Sequence, residues 1–299
     1  MTIRKGMLRA AGKAKNLLGD STETVIRFAY EKINPDGGFK GRNKQSDLYY
    51  TVFGVEILLA LKADIPHKQI FEYLRSFDVE KLDLVHLASL VRCHVNLIEF
   101  AGTDLIASLK ERIFQQLNKF KSEDGGFNTA ADSECGNVYG CFLALGVFQD
   151  IEEILDNEEA VINCIQSSRQ EDGSYANEKI LTAGTTPATA AAVVLLKYLG
   201  QKPSQNSLDW LLSSSHPRGG FAAIQTNEQN NIPDLLSTAT ALHALSLNNV
   251  SFDNIKEKCL DYLDELWSSD GGFTGNWFDA DLDCEYTYYG LLSLGHLSE

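Results

Sequence analysis

The 299-residue chain has no run of about 18 apolar residues, the length that a helix needs to cross a bilayer. Basic residues are scarce: 26 Lys and Arg stand against 41 Asp and Glu, a formal net charge of −15. Phosphate backbones are bound by clustered Lys and Arg, so nucleic acid is excluded as the expected partner. A secretory core is missing too. The first sixteen residues are basic without an apolar centre, and Arg4, Lys5, Arg9, Lys13 and Lys15 are expected to decorate a frayed first helix. The six cysteines, at 93, 135, 141, 164, 259 and 284, form no regular framework and sit mostly in helical apolar patterns. They read as reduced core residues of a cytoplasmic protein.

What the chain does have is a repeat. Asp36-Gly37-Gly38-Phe39, Asp124-Gly125-Gly126-Phe127, Asp172-Gly173-Ser174-Tyr175, Arg218-Gly219-Gly220-Phe221 and Asp270-Gly271-Gly272-Phe273 each precede an apolar helical run. Their first glycines lie at 37, 125, 173, 219 and 271, steps of 88, 48, 46 and 52 residues. The first step is nearly double the others, so a sixth unit with a degenerate turn is expected near residues 66–110, opening at Pro66-His67. Periods of 20–50 residues signal stacked helical units, because one helix pair cannot bury its own apolar face.

The units alternate two kinds of helix. Residues 21–33 begin with a plausible capping box and carry one apolar stripe; 157–167, 207–214 and 253–267 are likewise amphipathic. Residues 48–61, 138–148, 188–199, 235–247 and 286–297 are apolar nearly all round and are expected to be buried on both sides. An inner ring wrapped by an outer ring follows: one domain over 1–299, an all-α (α/α)6 toroid of six helix pairs joined by Gly-Gly-Phe turns. Glycine at those turns supplies positive φ where an outer helix reverses into an inner one. The inner helices then point their N-termini to one end and enclose a central cavity lined by small and aromatic side chains.

The unit of Gly-Gly-Phe, a polar stretch, Asp, then Tyr-Thr and an apolar helix resembles the repeat of protein prenyltransferase β subunits, of the superfamily that includes the squalene cyclases. The resemblance runs from about residue 21 to 297. It implies a funnel for an isoprenoid diphosphate, zinc that activates a substrate thiol, and a separate helical α-type partner subunit. The family's first zinc motif falls on Asp234-Leu235-Leu236-Ser237-Thr238 and its second on Asp283-Cys284-Glu285-Tyr286-Thr287. Leu236 then occupies the cysteine slot and Tyr286 the histidine slot, so only Asp234 keeps the pattern. A rebuilt site from Asp234, Asp283 and Cys284 is one expectation, with Asp283 and Cys284 as catalytic residues; capping by Asp281 and Asp283 with a packed Cys284 is the other. The family's diphosphate histidine falls on Thr182, and its basic residues fall near Glu228 and Asn231.

Out of register, Gly41-Arg42-Asn43-Lys44-Gln45-Ser46-Asp47 resembles the family's basic residues and metal Asp, and Asp83-Leu84-Val85-His86 the Asp-x-x-His motif. Arg42 and Lys44 then receive a diphosphate, with Asp47 and His86 as alternative metal ligands. Asp281-Leu282-Asp283-Cys284 resembles the cyclases' acidic motif, whose carboxylic acid protonates an alkene. Of the aromatics near inner helix starts, Tyr49, Tyr50, Tyr139 and Tyr286 are assigned to the ligand. The reading is thus a prenyltransferase-like protein with an altered zinc site; the alternatives are a non-catalytic isoprenoid-binding toroid and a cyclase-like acid. The small residues of Ala188–Val193 leave room for a chain at least as long as farnesyl.

Overall fold

The computed structural model of the chain describes residues 1–101, 105–225 and 231–298. Its elements in order are α1 (Ile3–Gly12), α2 (Lys15–Leu18), α3 (Ser21–Glu31), α4 (Leu48–Ala60), α5 (His67–Arg75), α6 (Leu84–Asn96), α7 (Ile98–Ala101), α8 (Leu105–Asn118), α9 (Val138–Asp150) and α10 (Glu158–Ser167). There follow α11 (Thr186–Tyr198), α12 (Gln205–Ser213), the strands β1 (Phe221–Ala222) and β2 (Pro233–Asp234), α13 (Leu235–Leu247), α14 (Lys256–Leu266) and α15 (Cys284–Leu297). The inner ring runs α4, α6, α9, α11, α13, α15, each helix packed on the next and α15 returning to α4. The outer helices α3, α5, α8, α10, α12 and α14 each precede their inner partner in the chain. The toroid therefore closes.

The glycine turns work by one mechanism five times. The first glycines have φ of 93°, 82°, 92°, 99° and 96° at 37, 125, 173, 219 and 271, a region that side chains with a Cβ rarely adopt. The aromatic that follows is fully buried at each turn. Its backbone N–H donates into the inner helix: Phe39 to Thr51 Oγ1, Tyr175 to Thr189 Oγ1, Phe221 to Thr238 Oγ1 and Phe273 to Thr287 Oγ1, at 2.9, 2.9, 2.9 and 3.3 Å. In the unit at 127 a thiol stands in, with Phe127 N donating to Cys141 Sγ at 3.4 Å.

The sixth unit has lost its glycines. A short 3-10 turn over Val79–Lys81 replaces them, with Asp78 Oδ1 accepting from Glu80 N at 3.4 Å and Arg112 bridging Asp78 and Glu80 at 2.9 Å each. The capping box expected at residue 21 is not formed, since α3 is preceded by Asp20 with no side-chain cap bond.

The N-terminal helix is the larger departure from expectation. Rather than fraying, α1 buries Ile3, Met7, Ala10 and Ala11 and packs on α4, α9 and α15. It lies across the C-terminal ends of the inner helices: Arg4 binds Asp150 at 2.8 Å and Asn96 at 2.7 Å, and Ile3 N donates to Gln149 Oε1 at 2.8 Å. The apolar stripe, not the basic residues around it, decides its place. One end of the barrel is sealed by α1, and the other holds the six inner N-termini.

Candidate functional site

A cavity of about 420 Å³ lies on the barrel axis, within the usual range of small-molecule sites. Every inner helix contributes to it at helical spacing: Tyr49 and Phe53 from α4, Tyr139 and Phe142 from α9, Tyr289 and Leu292 from α15. The wall from α11 is made of Pro187, Ala188, Ala190, Ala191 and Val194, small side chains that leave the width. Between Val85 and Arg92 on α6 the lining descends seven residues, about 10 Å of helix. Aromatic faces offer flat apolar area, and the Tyr49 and Phe53 rings meet edge to face at 5.0 Å.

The mouth is acidic. Asp47, Asp83, Asn137, Thr185, Asp234 and Asp283 are the N-caps of the six inner helices, each side chain accepting a backbone N–H from the first turn. Beside them Glu285 is half-buried and its Oε1 accepts from the Tyr49 hydroxyl at 2.6 Å. Burial pushes the Glu285 carboxyl up to about 7, against the opposing bond from Tyr49. Arg42 is a cation at this end, and it is already bound: Nη2 to Asp279 Oδ2 at 2.7 Å and Nε to Asp283 Oδ2 at 3.0 Å. Its guanidinium also lies 5.3 Å over the Tyr286 ring.

The closed end is polar in a different way. Arg92 lines the cavity and is bound through Nε and Nη2 to Glu56, which is 0% exposed and also accepts from Asn96 Nδ2 at 3.0 Å. From Asn96 the network passes to Arg4 and Asp150, tying α4, α6, α9 and α1 together. His243 also lines the cavity and pairs through Nδ1 with His296 Nε2 at 3.0 Å. Burial holds the two imidazoles neutral, His243 at about 3 and His296 at about 4.

The residues singled out from sequence scatter over this frame. Tyr49 and Tyr139 line the cavity. Tyr50 and Tyr286 do not; both stand by Arg42 at the rim. Thr182 and Asn231 fall together, in a polar groove of about 700 Å³ with His216 and Gln225 that shares no lining residue with the central cavity. Glu228 lies outside the described residues. Lys44 takes the left-handed turn position at φ 67°, its carbonyl accepting from Asn34. Neither Arg42 nor Lys44 is among the residues lining the cavity.

The residues expected to hold zinc do not fit it. Asp234 accepts from Ser237 N and Ser237 Oγ, both at 2.7 Å. Leu236 faces the cavity, while Tyr286 packs under Arg42. Asp283 Oδ1 caps Tyr286 N at 2.9 Å and Oδ2 holds Arg42. Cys284 is fully buried, and burial raises its thiol. In the alternative set, Asp47 caps Tyr49 N, and the His86 ring is bound by Asp83 at 2.8 Å. Among the described residues no group of three or more His, Cys, Asp or Glu side chains is placed to hold a metal ion. The capping of helix ends, not coordination, explains the carboxylates of the repeat. Glu285, Arg92, Glu56 and His243 belong to no motif of the repeat; only Glu285, an acid in the first turn of α15, leaves a trace in the sequence.

A family model described as the prenyltransferase alpha-alpha toroid domain matches residues 7–197, 88–228 and 188–298. Among solved structures, Candida albicans protein geranylgeranyltransferase-I complexed with geranylgeranyl diphosphate is similar at 17% identity and TM-score 0.59, over 75% of this chain and 70% of that one. A type II terpene cyclase from Scytonema, in complex with geranylgeranyl dihydroxybenzoate, is similar at 14% identity and TM-score 0.61, over 96% and 97%. An α-1,6-mannanase from Salegentibacter is similar at 14% and TM-score 0.61, over 94% and 99%. No curated protein matches. The same toroid thus carries unrelated chemistries, and function must come from the cavity.

Proposed function

Since the chain belongs to the prenyltransferase alpha-alpha toroid family, we propose that it binds an isoprenoid in its central cavity, hydrocarbon chain inward and head group at the ring of helix N-termini. The observation that carries this is the cavity itself, apolar along its walls, aromatic on the α4, α9 and α15 sides and closed by α1. The geranylgeranyl groups bound by two of the similar structures support it. The head group that suits this mouth is neutral rather than a diphosphate. Arg42 already bonds two carboxylates, and Asp279, Asp283 and Glu285 stand beside it; an added diphosphate meets like charges. Among the described residues, prenyl transfer through a zinc-bound thiolate lacks its ligands.

Equilibrium binding of geranylgeraniol and geranylgeranyl diphosphate to the same preparation tests this. The alcohol should bind at least as tightly as the diphosphate. A diphosphate bound tenfold more tightly overturns the neutral head group, and binding of neither overturns the reading of the cavity.

One observation favours a second reading, in which the protein also acts on the head group. Glu285, near its midpoint at neutral pH and 2.6 Å from a cavity-lining tyrosine hydroxyl, is suited to give or take a proton there. Neither Glu285 nor the cyclase-like pair Asp281 and Asp283 lines the cavity, but Glu285 is joined to it through the Tyr49 hydroxyl. Conversion of a bound prenyl alcohol that vanishes in Glu285→Gln would carry this reading; unchanged conversion would end it.

A further inference from the structure

We infer that the closed end of the cavity is a second recognition point, built from Arg92 and His243, for a neutral oxygen acceptor at the distal end of the bound chain. The ligand class is therefore an isoprenoid oxygenated at both ends, and the inference rests on the cavity being the isoprenoid site. Two observations lead there independently of the mouth.

The first is the unspent face of Arg92. Its Nε and Nη2 bond Glu56, which neutralises the charge, yet the side chain keeps 20% of its exposure and lines the cavity. A guanidinium carries five N–H donors, of which Nε and Nη2 spend two on Glu56. A purely hydrocarbon ligand would strip water from the remaining donors and return nothing. Hydrocarbon-ended chains are thus disfavoured at the floor that this family member presents.

The second is the orphan nitrogen of His243. The side chain is 94% buried, lines the cavity, and has no partner at Nε2; its pair, His296, has none at Nδ1. Both rings are neutral, so each carries one N–H, and the 3.0 Å contact between His243 Nδ1 and His296 Nε2 consumes one of the two. If His243 donates, His296 is left with a buried N–H that bonds nothing. If His296 donates, it keeps only a bare lone pair, and His243 Nε2 becomes a donor. Either pair leaves one N–H unbonded, and only in the second does it stand on the ring that lines the cavity, where a ligand oxygen can meet it.

The floor then offers donors from Arg92 and His243 together, and the two are close enough for the Arg92 charge to depress the imidazole. With Glu56 cancelling the guanidinium, a neutral carbonyl, ether or epoxide oxygen matches better than a carboxylate. Thr240 and Ser89, the other polar residues of this wall, donate to backbone carbonyls of their own helices and are spent.

The test compares two synthetic probes of equal length, geranylgeraniol and its analogue with a ketone at the far end, by calorimetric titration. The ketone should bind the wild-type protein about tenfold more tightly, the worth of one hydrogen bond to a buried donor pair. His243→Phe should remove that preference. Arg92→Lys, which keeps a cation for Glu56 but loses the fork, should reduce it in the same direction. Equal affinity for both probes in the wild type overturns the distal site while leaving the cavity reading intact. If neither probe binds, the cavity reading falls and this inference falls with it.

Discussion

The Tyr49 hydroxyl and Glu285 Oε1 lie 2.6 Å apart although 236 residues separate them in the chain. They meet because α4 and α15 are the two ends of the inner ring, packed side by side at its closure. A carboxyl at this seam is removed from water, and its ionised form suffers for it.

The pH dependence follows from the sign of that shift. Glu285 has a folded value raised to about 7 from an unfolded value of 4.5. Its contribution to stability is fully present below 4.5 and lost as pH rises through 7. Unfolding by denaturant at pH 5 and pH 8 should show wild type losing up to about 3 kcal/mol relative to Glu285→Gln. A difference between the two proteins that stays constant with pH would show that the carboxyl titrates normally.

Arg92→Met should destabilise the protein by about 3–5 kcal/mol, because it strands the fully buried Glu56 carboxylate. The double variant Glu56→Gln/Arg92→Met should recover most of the loss. Denaturant midpoints of the three proteins decide it; a double variant no better than Arg92→Met would mean that the pair is not isolated from the rest of the network.

Two glycine substitutions should act in opposite directions. A Cβ at Gly271, where φ is 96°, would lie 2.3 Å from the Thr24 carbonyl oxygen of the first outer helix. Gly271→Ala should therefore cost more than about 2 kcal/mol. At Gly146, inside α9, an added Cβ meets nothing within 4 Å, and Ala there should gain about 0.5–1 kcal/mol of helix stability. Thermal unfolding of both is the measurement, and a stabilised Gly271→Ala would contradict the seam geometry.

Ala191→Phe narrows the wall of the cavity that lacks aromatics. Affinity for geranylgeraniol should fall at least tenfold while that for geraniol changes little. An equal effect on both chain lengths would place the ligand's tail elsewhere.

How far the sequence foretold this depends on the range of the interaction. Turns such as Asp124-Gly125-Gly126 were legible because their demands are local: Asp124 caps Gly126 N two residues on, at 3.1 Å, and Gly125 needs positive φ. The inner helices were legible because they are apolar on every side. The residues 79–81 turn was not, since its cap and its Arg112 bridge use ordinary polar residues. Arg42 looked like an anion receptor because its charge shows in the sequence, whereas its partners Asp279 and Asp283 lie 237 and 241 residues away. Glu56 and Arg92 sit in different units and gave no sign of pairing. Nor did the basic N-terminus reveal that Ile3, Met7 and Ala10 share a buried face.

That helix has a kinetic consequence. It packs closely against the last one, so that a Cβ on Gly295 would fall 1.8 Å from the Ala10 carbonyl oxygen. During synthesis α1 precedes its principal neighbour, α15, by more than 270 residues, and the two can meet only when residues near 295 have left the ribosome. Until then the apolar edges of α4 and of the growing ring stand open. Contacts of such high sequence separation slow folding and prolong the exposure of sticky surface. The toroid cannot mature unit by unit as an open solenoid does; its ring is complete only when α15 meets α1 and α4.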